Sequence, residues 1–117
     1  MMFSHPEQED HLLPDLSRQL EQGWGIAPHG ARGPSDWHVI LAALEERISH
    51  LLKHDPRKLT TAMYLLDISE KNFAAAMEQP TMEDRAHALA CVVMERETQK
   101  IRTRHAYSKK HIEGGRE

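Results

Sequence analysis

Between Pro34 and Gly114 the chain contains no glycine, and its only prolines there are Pro56 and Pro80. Glycine and proline are the strongest local interrupters of regular structure. A stretch this free of them is constrained to a few helices, cut where the prolines fall. Residues 23–34, GWGIAPHGARGP, are the opposite case. They hold four of the six glycines and two of the six prolines, and read as a loop. Trp24 and Ile26 within it are expected to pin the loop to the domain.

The apolar spacing places the helices. Trp37, Ile40, Leu41, Leu44, Ile48, Leu51 and Leu52 recur every three or four residues, which predicts an amphipathic helix over about 36–53. A second helix over 56–66 turns Leu59, Ala62, Met63 and Leu66 inward, with Tyr64 and Leu65 expected to widen that face. A third over 68–78 buries Phe73, Ala76 and Met77. The longest, over 82–107, carries Met82, Ala86, Leu89, Ala90, Val93 and Glu97 along one side. Its far half thins to Ile101 and Tyr107, so that half is expected to project or to meet another subunit. Ahead of these, LLPDLSRQLEQG predicts a short, loosely docked helix over about 14–22, stopped at Gly23.

Capping residues mark the boundaries. Ser35 is the expected N-cap of the first main helix, Asp55 of the second with Pro56 at its first position, and Thr81 of the longest. Asp67 followed by Glu70 has the spacing of a capping box, with Asp in place of Ser or Thr, and opens the third helix. The expectation is an all-α single domain: a bundle of four main helices plus the short N-terminal one. Residues 1–34 form an arm, helix and loop, 35–107 the helical domain, and 108–117 a solvated tail.

Charge and composition exclude several classes. The net charge of −3 is not that of a globally basic nucleic-acid binder. Residues 100–117 nevertheless carry six basic and two acidic side chains. One cysteine, Cys91, allows no internal disulfide framework, and a reducing cytoplasm is the simplest setting. No apolar run approaches a membrane span, and the acidic N-terminus is not a secretory signal.

The chain is rich in histidine, which raises metal binding. His50 and His54 lie one turn apart, and His87, Cys91 and Glu95 follow at i, i+4, i+8. Neither set supplies the three or four ligands of a closed site, so no metal or other cofactor is expected. Cys91 with His87 is the only local nucleophile–base pair, yet it sits in the apolar run ALACVVM, where a cysteine packs as a small hydrophobe. No catalytic residue is assigned, and the chain is not expected to be an enzyme. No glycine-rich phosphate loop is present.

Arg96, Lys100 and Arg104 make a basic stripe at four-residue spacing, with Tyr107 beyond it. Such a stripe complements a helix C-terminus and is also the candidate surface for a partner or for nucleic acid.

Two segments carry a resemblance. Tyr64-Leu65-Leu66-Asp67-Ile68-Ser69-Glu70, and then Glu95-Arg96-Glu97, Gln99-Lys100, Thr103-Arg104 and Tyr107, resemble a family of small uncharacterised bacterial helical proteins. Its pattern is a YxLDxxE helix junction and a C-terminal ERxxQK…TRxxY helix, covering about residues 38–107. The resemblance implies no catalytic residue. It singles out positions 67, 70, 96, 100, 104 and 107, of which 96, 100, 104 and 107 have no evident core role. The functional expectation is a cytoplasmic, non-enzymatic interaction or regulatory module. It is expected to form a homodimer, across the longest helix or helix 36–53, or to bind another protein. The alternative is nucleic-acid association through the basic helix end.

Overall fold

The computed structural model describes residues 12–26 and 37–114, with side chains described to Tyr107. Five helices occur in chain order: α1 (Leu13–Trp24), α2 (Trp37–His54), α3 (Pro56–Leu65), α4 (Glu70–Met77) and α5 (Met82–Gly114). The chain is all-α, as its punctuation predicts, and no helix among the described residues is long and apolar enough to cross a membrane.

Helix α5 is the central element. It packs chiefly against α2 and α4, while α1 lies across both α5 and α2. The apolar stripe of α2, Trp37, Ile40, Leu44 and Ile48, is sealed against Leu89, Val93, Met94 and Ile101 of α5. Each such side chain contributes roughly 1.5–3 kcal/mol through burial. This stripe, one of the two expected dimer faces, is consumed inside the monomer.

Helix α1 is not loosely docked. Leu13, Leu16 and Leu20 are all buried, and so are Trp24 and Ile26. The helix runs through Gly23 and stops at Gly25, whose φ of 68° supplies the left-handed turn. Because α1 covers the far half of α5, that half does not need an outside subunit to hide Ile101. Helix α5 also continues to Gly114, past its expected end at 107, so residues 108–114 of the expected tail are helical.

The caps at Asp55 and Thr81 form as expected. The Asp55 carboxylate accepts from the Lys58 amide at 3.2 Å, and the Thr81 hydroxyl from the Asp84 amide at 3.0 Å. Ser35 lies outside the described residues. The capping box at Asp67 and Glu70 does not form. The cap of α4 is Ser69, whose hydroxyl accepts from the Asn72 amide at 3.1 Å, and Glu70 becomes the first helical residue.

Asp67 instead terminates α3. Its φ is 64°, its amide donates to the Tyr64 carbonyl at 3.0 Å, and the Ile68 amide reaches the Met63 carbonyl at 3.1 Å. That pair of bonds is a Schellman motif, with aspartate in the left-handed position usually held by glycine.

Candidate functional site

Three arginines close helix ends from a distance. Arg47 Nε donates to the Trp24 carbonyl at 3.0 Å, Arg85 Nε to the Gln79 carbonyl at 2.8 Å, and Arg96 Nε to the Leu66 carbonyl at 3.0 Å. The last terminal carbonyls of a helix have no partner within it, and a guanidinium fork supplies donors of fixed geometry.

Arg96 also donates to the Gln99 side chain at 3.0 Å and lies 3.7 Å from the Asp67 carboxylate. The two motif segments, 64–70 and 95–100, are therefore one structural joint. A cavity of about 480 Å³ opens beside it, lined by Asp67, Ser69, Asn72, Glu95, Arg96 and Arg102 among others. Its lining mixes two acids with two arginines, so it presents no single sign of charge.

The basic stripe separates in space. Arg96 faces the end of α3, whereas Arg104 faces α1 and donates to the Gln19 side-chain oxygen at 2.7 Å. Gln19 in turn donates its amide hydrogen to Glu97, which is only 4% exposed. Arg104 thus orients the glutamine that satisfies a buried carboxylate. His105 Nε2 lies 2.9 Å from Asp15 of α1, which also accepts from Arg18. Lys100 is half-buried, and Tyr107 is exposed. Two residues of the stripe, Arg96 and Arg104, therefore tie α3 and α1 to α5.

Cys91 and His87 do meet, and a third group joins them. Cys91 Sγ is 3.6 Å from His87 Nε2, and Glu45 of α2 hydrogen-bonds the other ring nitrogen, Nδ1. The three form a carboxylate–imidazole–thiol line at the edge of a groove of about 380 Å³ bounded by α4 and α5. Its electrostatics oppose nucleophilic use. Burial first, and the carboxylates of Glu45 and Glu95 after it, together push the thiol up to about 11. A reactive cysteine needs positive surroundings that stabilise thiolate; here the nearby charges are negative. The rings of His50 and His54 lie 4.7 Å apart, and among the described residues no three His, Cys, Asp or Glu side chains, the Glu45–His87–Cys91 line included, are placed to hold a metal ion.

One expectation for α3 is reversed. Tyr64 and Leu65 do not widen the buried face; they are 81% and 74% exposed. Leu59, Met63 and Leu66 do point inward, and positions 64 and 65 fall on the other side of a helix with 3.6 residues per turn. That arithmetic was available from the sequence. The partnership of Glu45 with His87, and of Gln19 with Glu97 and Arg104, had no local signal.

By fold and surface the chain is a small helical bundle in which Arg47, Arg85 and Arg96 donate to carbonyls at or just past helix ends, and Tyr64, Leu65, Met82 and Tyr107 are its exposed large hydrophobics among the described residues. Comparison with protein-family models, with curated proteins and with solved structures found no match.

Proposed function

We propose that this chain is a non-enzymatic, cytoplasmic association module that forms a homodimer. The observation that carries the reading is the exposure of Tyr64 and Leu65, side by side on α3. Exposed aromatic side chains such as Tyr64 are frequent anchors of protein contacts, and Leu65 beside it extends the apolar surface. The chain's small size favours further burial between subunits.

Nucleic-acid association is the weaker reading. Two of the three cations of the basic stripe, Arg96 and Arg104, already donate to groups within the chain. Catalysis at Cys91 is disfavoured by its negative surroundings.

Sedimentation velocity and native mass spectrometry over a concentration series test the proposal. A dimer whose share grows with concentration is the expected result. A monomer throughout would overturn it. Retention of oligonucleotide that falls steeply with salt, with no protein dimer, would move the reading to nucleic acid.

A further inference from the structure

We propose that the outer face of α3 is the two-fold interface of that dimer, with the α3 helices of two copies antiparallel. The inference rests on the self-association reading above and specifies its surface.

Arg57, Thr61, Tyr64 and Leu65 are exposed and lie at i, i+4, i+7 and i+8, which puts them on one side of the helix. The charges at its two ends are opposite. Arg57 and Lys58 occupy the first turn, which contains no acidic residue. Asp67, in the left-handed position just past the last turn, is 91% exposed, and Glu70 follows it, exposed at the start of α4. A helix N-terminus carries partial positive charge and a C-terminus partial negative charge. Asp55 caps the N-terminus and Arg96 lies 3.7 Å from Asp67, so each end is partly compensated within the chain; on the exposed face Arg57 and Lys58 still leave the N-terminal end positive, and Asp67 and Glu70 the other end negative.

A second copy of the same helix, laid antiparallel, sets the positive end of each against the negative end of the other. Arg57 of each chain comes opposite Asp67 of the other, with Lys58 one residue further in. Arg57 and Asp67 are separated by about 15 Å along the axis at 1.5 Å per residue. Matching the two ends puts the two-fold axis at the level of Ala62, close to Thr61. Tyr64 of each copy then faces Thr60 and Thr61 of the other. A parallel pair would set like charge against like, so the charge pattern selects the antiparallel one. Such an isologous contact closes after two subunits. A face of three helical turns is short for a standard interface, so the association is expected to be reversible and concentration-dependent.

The test combines charge reversal with crosslinking. The double variant Arg57→Glu, Lys58→Glu places acid at the α3 N-terminus, where it suits the dipole, so the fold is retained and far-UV circular dichroism serves as the control. It is expected to raise the dimer dissociation constant about tenfold or more. In a Cys91→Ala background, Thr61→Cys lies beside the axis and is expected to form an intermolecular disulfide on mild oxidation. The same background with Glu46→Cys, on exposed α2 surface, is expected not to. A wild-type chain that never dimerises overturns both this inference and the association reading. A wild-type dimer that survives charge reversal, with no Thr61→Cys crosslink, overturns the α3 assignment alone and leaves the association reading standing.

Discussion

Gln19→Leu isolates the one buried carboxylate of the molecule's described core. Glu97 is 4% exposed, and Gln19 donates the hydrogen bond that satisfies it. Leucine keeps most of the glutamine's volume, so water does not flood the site, but it removes the donor. A hydrogen bond to a charged group contributes about 1.5–3 kcal/mol, and a buried charge stripped of its partner costs about 3–5 kcal/mol. Gln19 is neutral, and Arg104 remains nearby, so the expected cost is about 2–3 kcal/mol. The double variant Gln19→Leu, Glu97→Leu removes both polar groups together and is expected within about 1 kcal/mol of wild type. The two residues should therefore couple by about 2 kcal/mol in a double-mutant cycle. Urea unfolding followed by circular dichroism, at one low protein concentration so that association does not enter, reads the difference as a midpoint shift of roughly 1–2 M. A single-variant cost below about 0.5 kcal/mol, or strictly additive effects, would refute the relay from Arg104 through Gln19 to Glu97.

Four further outcomes are expected. Arg96→Ala should cost about 1–2 kcal/mol, because it leaves the Leu66 carbonyl without its donor, and Arg96→Lys should recover only part of the loss in the same urea assay. Asp67→Gly should exceed Asp67→Ala in stability by about 1 kcal/mol in thermal unfolding, since φ is 64° and only glycine adopts it freely; equal values would contradict the left-handed assignment. Thr98→Val should stabilise by about 1 kcal/mol, since the buried Thr98 hydroxyl has no hydrogen-bond partner among the described residues; a loss on chemical denaturation would mean the hydroxyl is paired. The iodoacetamide reaction of Cys91 should still be accelerating at about pH 10, with a midpoint near the raised value of about 11; a plateau before about pH 9, the range of an ordinary thiol, would refute the assignment. The linkage has a matching sign. An unfolded chain loses this proton near about pH 8.5 and the native one later. The native state then holds more protons, and stability falls as pH rises from there to about 11. Cys91→Ala should remove that alkaline component.

Local chemistry by itself determined the helices. The glycine-free run, the two prolines and the caps at Asp55 and Thr81 act within a few residues, so they are readable in one dimension, and so is the inward face of α2. Even Glu97 was legible as lying on the same side of α5 as Ala86, Leu89, Ala90 and Val93, because the helical period places it there whatever its charge; that it is buried came from the fold. At Asp67 and Glu70 two local solutions competed. A capping box and a Schellman stop followed by a Ser69 cap use overlapping residues. The second forms, and the Arg96 guanidinium arriving from α5 reinforces it by holding the Leu66 carbonyl.

What only the tertiary structure decided is which long-range partner each polar side chain takes. The basic stripe looked like a single surface because its residues recur at one spacing. In space α5 is flanked by two elements, so Arg96 closes α3 while Arg104 braces α1 through Gln19. The α1 docking that covers the far half of α5 was likewise hidden, since a narrow leucine stripe does not say what it packs on. Glu45 reaches His87 only because α2 and α5 lie side by side. Hydrogen bonds between residues so distant in the chain depend on the relative placement of whole helices. The spacing of residues along any one helix does not encode that placement.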